Sequence, residues 1–196
     1  LKDAGLKVIF TQCFYKIQET DLELTPTEIN LDGIILKDTV TGNPIYITGG
    51  IEHQAFRKMF YKLDISTQKP NTTGDANNKP VQLLNTSYKN NKQFYGNVKG
   101  TGSLSLAGWQ SNMYMKIDGS ASTKDSSYIT IPSSSGRESG IADFLVEKKY
   151  GREMSDSVVN QNSTNIKYDV DVTANPMVTV KVVLDELTGD EIKGKG

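Results

Sequence analysis

His53 and Cys13 are the first places to look for chemistry, because the 196-residue chain holds one histidine and one cysteine. An acyl-transfer site would need His53 as its base, next to a nucleophile on a sharp turn and an oxyanion loop. Its surroundings, Gly50-Ile51-Glu52-His53-Gln54, supply neither. They read as the end of a strand, with His53 at the surface or in a turn. Cys13 has no partner for an internal disulfide and sits in an apolar run, where a thiol packs as a small hydrophobe. One histidine with one cysteine cannot complete a structural zinc set.

Other motifs fail on spacing. Asp185-Glu186-Leu187-Thr188-Gly189-Asp190-Glu191 is acidic but lacks the alternating ligands of a calcium loop, so it reads as a polar turn. Lys99-Gly100-Thr101-Gly102 lacks the Lys-Ser/Thr ending of a phosphate loop. It reads instead as a strand whose glycines permit close backbone approach or curvature. Asn-X-Ser/Thr triplets at Asn71, Asn85 and Asn162 are expected by chance in a chain rich in these residues. Tyr61, Tyr88, Tyr95, Tyr114 and Tyr128 could stack on sugar only if two or three shared a flat face. With no nucleophile–base pair, carboxylate pair or metal cluster, the chain is expected to be no enzyme and to carry no cofactor.

Charge narrows the partners. The formal net charge is −1 and the isoelectric point about 5.9, so no basic excess exists to neutralise a phosphate backbone and nucleic acid is excluded. No run of about 18 apolar residues could form a membrane-spanning helix. The chain also lacks a starting Met and the charged and apolar regions of a signal peptide. It is expected to be one β-rich segment, residues 1–196, cut from a longer protein.

The elements that would position any site are strands. Val178, Val180, Val182 and Leu184 recur at every second residue, as do Ile166, Tyr168, Val170 and Val172, and Met113, Met115 and Ile117. Alternation puts apolar side chains on one face and polar ones on the other. Shorter stretches repeat it: Val8–Phe10, Leu22–Leu24, Ile29–Leu31, Ile45–Ile47, Leu63–Ile65, Leu104–Leu106 and Ile129–Ile131. About a dozen strands of five or six residues follow. Thr41-Gly42-Asn43-Pro44, Ala174-Asn175-Pro176 and Leu187-Thr188-Gly189-Asp190 are expected to be tight hairpin turns. Residues 142–154 hold the one helix candidate, which reads equally well as strand. Residues 68–79 and 133–140 lack the apolar content to pack and are expected to be mobile loops.

An imperfect repeat is visible at a spacing of about fifty residues. Gly50-Ile51 leads through Phe56 to Phe60-Tyr61-Lys62-Leu63-Asp64-Ile65, and Gly102-Ser103-Leu104 through Trp109 to Met113-Tyr114-Met115-Lys116-Ile117-Asp118. On pattern alone, a closed sandwich or barrel is the simpler expectation. A sheet curled into an open trough would instead need a ligand for its apolar face.

Four stretches resemble the C-terminal region of the TamB family, part of the translocation and assembly module. They are Leu31-Asp32-Gly33-Ile34-Ile35-Leu36-Lys37-Asp38 through Ile47-Thr48-Gly49-Gly50-Ile51-Glu52-His53; Leu83-Leu84-Asn85-Thr86 followed by Phe94-Tyr95-Gly96 and Gly100-Thr101-Gly102; Ile129-Thr130-Ile131-Pro132 followed by a serine tract and Asp143-Phe144; and Asp185 to Gly196. The resemblance implies an all-β fold, a curled antiparallel sheet forming an elongated half-pipe (β-taco) with an apolar interior. It implies a periplasmic location in a Gram-negative bacterium, with an inner-membrane helix outside these residues. It further implies phospholipid transfer between membranes, assistance to outer-membrane protein assembly, and an Omp85-class (TamA-like) partner. The expected partners are therefore phospholipid acyl chains and nascent outer-membrane proteins. The expected groove wall is the set of alternating apolar residues: Val8, Phe10, Leu22, Leu24, Ile29, Leu31, Ile45, Ile47, Leu63, Ile65, Leu104, Leu106, Met113, Met115, Ile117, Ile129, Ile131, Val170, Val172, Val178, Val180, Val182 and Leu184. A carbohydrate-binding or adhesin-like β domain is the alternative.

Overall fold

The computed structural model describes residues 1–9, 11–132, 148–149, 152–153, 165–185 and 188–196. Short strands open the chain: β1 (Gly5–Val8), β2 (Cys13–Ile17), β3 (Glu23–Leu24), β4 (Glu28–Asn30) and β5 (Ile34–Asp38). Longer ones follow: β6 (Pro44–Gln54), β7 (Arg57–Ser66), β8 (Val81–Thr86), β9 (Tyr95–Trp109), β10 (Asn112–Ala121) and β11 (Ser127–Ile131). After the two-residue β12 (Lys148–Lys149) and β13 (Arg152–Glu153) come β14 (Asn165–Thr173), β15 (Val178–Asp185) and β16 (Asp190–Lys195). The described residues include no α-helix. Within the 142–154 stretch, the described residues form the small β12–β13 pair; the 133–140 stretch lies outside the described residues.

Fourteen of these strands form one sheet, whose main path runs β1-β2-β5-β6-β7-β9-β11-β15-β16. The sheet is open: no ladder joins β1 to β16. Its long strands serve several partners in succession. One edge of β6 takes β4 and then β5, while its other edge takes β7. One edge of β9 takes β7 and β8, and the other takes β10 and β11. Both halves of the imperfect repeat are hairpins, β6–β7 and β9–β10, and β7 pairs with β9, so the copies lie side by side.

Two ladders depart from the expected antiparallel sheet. β14 runs parallel to β10, and β15 runs parallel to β11. Parallel neighbours need a long connection, and 43 residues separate Ala121 at the end of β10 from Asn165 at the start of β14. This overturns the expected hairpin at Ala174-Asn175-Pro176. There β14 and β15 do not pair but continue one line of chain. Asn175 Nδ2 donates to the carbonyls of Ala121 (2.8 Å) and Ser122 (3.2 Å), matching this break to the one between β10 and β11. Pro176 has no N–H to donate to a ladder. The other two turns reverse the chain as expected, between β5 and β6 and between β15 and β16. Residues 68–79 are tied down by a Gln68–Asn78 bridge and a Thr67 Oγ1 bond to Asn78 Oδ1 at 2.6 Å.

Close approach of neighbouring backbone leaves no room for a side chain at several strand glycines, Gly49 and Gly102 among them. A Cβ on Gly49 (φ +94°) would lie 2.1 Å from the Lys62 carbonyl oxygen, on the neighbouring β7. One on Gly102 would lie 2.5 Å from the Asp118 carbonyl oxygen, where β9 hands over between partners.

The core lies at the N-terminal end. Cys13, Tyr15, Ile34, Leu36, Ile45, Ile47 and Val81 are buried together, and Val8, Ile17, Leu22, Leu31, Leu63, Ile65 and Leu83 pack against them. The sheet folds over here, bringing β2 against β8. The Asn85 N–H donates to the Thr11 carbonyl at 2.9 Å, and the Tyr15 hydroxyl donates to the Gln82 carbonyl at 2.7 Å. Asp38 is almost fully buried and accepts from the backbone N–H groups of Val40, Thr41 and Gln82 and from the Thr41 hydroxyl. One carboxylate thus caps the β5–β6 turn and fastens β8 to it. Gln82 in turn donates to the Val98 carbonyl and to Asn97 Oδ1, both at 3.1 Å, beside a bulge in the β8–β9 ladder.

A candidate apolar binding face

Register fixes which apolar residues meet. Directly opposed residues in adjacent strands share a face. One row runs Ile47, Ile65, Leu104, Ile117, Val170 across β6, β7, β9, β10 and β14. The next runs Gly49, Leu63, Leu106, Met115 and the position of Tyr168. A third runs Ile51, Tyr61, Gly108, Met113, Ile166. These rows form one apolar face five strands wide.

Cover on this face changes along the sheet. At β6 it is core, with Ile47 buried. At β7, β9 and β10 the residues Leu63, Ile65, Leu104, Leu106, Met113, Met115 and Ile117 are half-buried. At β14 the face meets solvent: Val170 is 55% and Val172 64% exposed. Ile166, at the start of the same strand, is half-buried. A packed core therefore runs without a break into an uncovered apolar surface.

The remaining expected wall residues fall into three groups. Ile45, Val8, Leu22 and Leu31 belong to the N-terminal core, and Ile29 is half-buried opposite Ile51. On the C-terminal strands, Ile129 opposes Val180, and Ile131 opposes Val182, with Val178 buried beside Ser127. Ile192 extends the Ile131–Val182 row onto β16 and, like Ile131, is exposed. Leu24 on the two-residue β3 and Leu184 beside the bulge in β15 are exposed and join no row of the face. Phe10 lies outside the described residues. The sequence reading missed Ile34, Leu36, Val81 and Leu84 as core and Ile51 as face; the short unalternating runs Ile34-Ile35-Leu36 and Leu83-Leu84 carried the signal.

The opposite face is polar. Asp64, Ser105, Lys116 and Asp169 form one row, and Lys62, Ala107, Tyr114 and Lys167 the next. The Tyr114 hydroxyl donates to Asp169 Oδ2 at 3.0 Å, a bond that pushes the phenol's pKa up. Lys116 pairs with Asp118 at 3.2 Å, which raises the ammonium's pKa. These groups are fully solvated, so they keep this face wet and contribute little stability.

Among the described residues, no nucleophile or carboxylate is hydrogen-bonded to the His53 ring. Contrary to the expected surface position, it is 3% exposed at the bulged end of β6, although it does flank a turn. Its ring stacks on Phe56 at 4.3 Å, and Nδ1 accepts the Phe56 N–H at 3.3 Å. Ala55 and Phe56 both have positive φ, a conformation that two-residue hairpins require and non-glycine residues resist. The histidine holds this turn. Nothing in the sequence signals the burial, because the chain folds Thr27 against it: His53 N–H donates to the Thr27 carbonyl at 2.7 Å.

No group of three metal-ligating side chains occurs among the described residues. The two pairs of neighbouring Tyr, Phe and Trp rings among the described residues are not coplanar. Tyr88 meets Tyr95 at 75° and Phe60 meets Trp109 at 66°, both edge to face. No family model, curated protein or solved structure matches the chain.

Proposed function

We propose that the apolar face of β9, β10 and β14, half-buried on β9 and β10 and exposed at Val170 and Val172, receives lipid acyl chains, as one segment of a TamB-like conduit in the envelope of a Gram-negative bacterium. One observation carries this reading: the apolar rows pass from a packed core into an exposed surface on an open sheet, while the reverse face is charged and hydroxylated. Uncovered apolar area of this kind calls for an occupant. An acyl chain suits it because acyl chains bind through area. Each buried methylene gains about 0.8 kcal/mol, so about eight of them laid on the face gain roughly 6 kcal/mol. Met113 and Met115 give the wall adaptable, polarizable side chains. In this reading an Omp85-class outer-membrane protein receives the cargo.

Native mass spectrometry with lipid extraction tests it, on protein purified gently from Gram-negative cells. Bound phospholipid is expected, lost in Met115→Asp and Leu106→Asp variants that keep their far-UV circular dichroism. A lipid-free wild type, or folded variants that keep their lipid, would refute the reading.

Help to nascent outer-membrane proteins is a second reading, favoured by the free edge of β16. All six residues of that strand are exposed, and among the described residues it pairs with β15 alone. A client strand could extend the sheet there.

A further inference from the structure

We infer that β14 is a self-complementary edge through which two copies of this chain pair about a two-fold axis. Among the described residues, β14 pairs with β10 alone, so its second edge is open. Asn165 N–H donates to the Ser111 carbonyl at 3.2 Å, which directs the odd-numbered amides of β14 toward β10. In a parallel pair the intervening residues direct both N–H and C=O the other way. Ile166, Tyr168, Val170 and Val172 therefore offer donors and acceptors to the open edge. Unsatisfied groups in such a row are a template for another strand.

The sequence selects the partner and the register. Antiparallel pairing with Tyr168 opposite its own copy places Ile166 against Val170 twice on the apolar face. The same register sets Lys167 against Asp169 twice on the polar face. Hydrogen bonds fall at Ile166–Val170, Tyr168–Tyr168 and Val170–Ile166, six in all, and use only outward-directed groups. Lys167–Asp169 becomes a non-hydrogen-bonded pair, the closer of the two spacings, about 4.5 Å between Cα atoms. Shifting the register by one allowed step opposes Asp169 to Asp169 in one direction and Lys167 to Lys167 in the other; a further shift in the first direction opposes Asp169 to Asp171 twice. Like charges directly opposed destabilise a sheet. The alignment on Tyr168 thus satisfies hydrogen bonds, apolar rows and charge together over the longest stretch. It joins the two apolar faces into a single surface ten strands wide.

Sedimentation of the full chain over a concentration series tests the pairing. A reversible dimer is expected. Val170→Pro removes an outward N–H from an edge position, where proline is tolerated. It should give a monomer with unchanged circular dichroism. Lys167→Asp or Asp169→Lys alone should weaken the dimer about tenfold or more, since two attractive pairs become repulsive. The double exchange restores both pairs and should recover the dimer, even though it also loses the Tyr114–Asp169 bond. A wild type that stays monomeric throughout, a folded Val170→Pro variant that still dimerises, or a double exchange no tighter than the singles would overturn the proposal. If Val170→Pro fails to fold, the three charge variants decide it alone.

Discussion

Replacing Asp38 by alanine should cost more than its surface neighbours suggest, and the cost can be worked from its partners. The carboxylate accepts from Val40 N (3.2 Å), Thr41 N (3.0 Å), Thr41 Oγ1 (2.6 Å) and Gln82 N (2.9 Å). Val40 is exposed and Thr41 half-buried, so water can replace the acceptor there, leaving a loss of about 1 kcal/mol. Gln82 is 2% exposed, and water cannot reach its amide. An orphaned buried donor costs about 1–3 kcal/mol. The sum is about 2–4 kcal/mol, a large part of the margin of a typical domain. Asp38→Asn keeps one acceptor oxygen and should cost about 1–2 kcal/mol. Asp32 is the control: its exposed carboxylate accepts from Gly49 N at 3.3 Å, and Asp32→Ala should stay within about 1 kcal/mol. Urea unfolding by far-UV circular dichroism measures all three. If Asp38→Ala falls below about 1 kcal/mol, or matches Asp32→Ala, the carboxylate is not what fastens β8 to the turn.

Three further outcomes follow from the same end of the molecule. Burial, with Cys13 and Asp38 nearby, holds the Tyr15 phenol far above its ordinary pKa of 10.0, so the folded state keeps a proton that the unfolded state releases. Its contribution is complete below pH 10 and drains away above it, at up to about 1.4 kcal/mol per pH unit; Tyr15→Phe should flatten that alkaline slope. Burial also pushes the Cys13 thiol up, so alkylation of the native protein at pH 8 should run about a hundredfold slower than in urea; equal rates would contradict the buried position. Gly49→Ala drives a Cβ into the Lys62 carbonyl, and a loss of about 3 kcal/mol or more should show in thermal melts; a neutral substitution would mean that β6 and β7 are further apart there.

The strands were legible because alternation is a local property. Met113, Met115 and Ile117 announce a one-sided strand whatever lies beside them, and Thr41-Gly42-Asn43-Pro44 announces a reversal. The repeat was legible for the same reason, since each half is a hairpin. What decides the core is not local. Val81 and Gln82 are buried because β2 folds onto β8, and nothing in Val81-Gln82-Leu83 names Tyr15 or Asp38 as neighbours. The parallel ladders were hidden too: Asn175-Pro176 is good turn chemistry, and only the carbonyls of Ala121 and Ser122 make it a break in a continuing line. The face was partly legible, because its residues were named correctly as alternating. Their division into packed core at Ile45 and Ile47 and open surface at Val170 and Val172 depends on strand order. Sequence gives periodicity, and strand order gives cover.

The parallel ladders also set an order of assembly. The hairpins β6–β7 and β9–β10 close over turns of two residues, Ala55-Phe56 and Gln110-Ser111, and need almost no chain to be gathered first. Asn112 meets Asn165 only after a loop on the order of fifty residues has closed. By the logarithmic cost of loop length, that closure is about 2–3 kcal/mol dearer in entropy than a hairpin turn. The ladder of β10 with β14 must therefore wait for a preformed edge to receive it. During synthesis the N-terminal core and the central hairpins stand complete while β14, β15 and β16 are still arriving. In that interval the edge of β10, with Met113, Met115 and Ile117 along it, is bare. The stretch of chain most exposed to wrong pairing is thus the one that carries the apolar face.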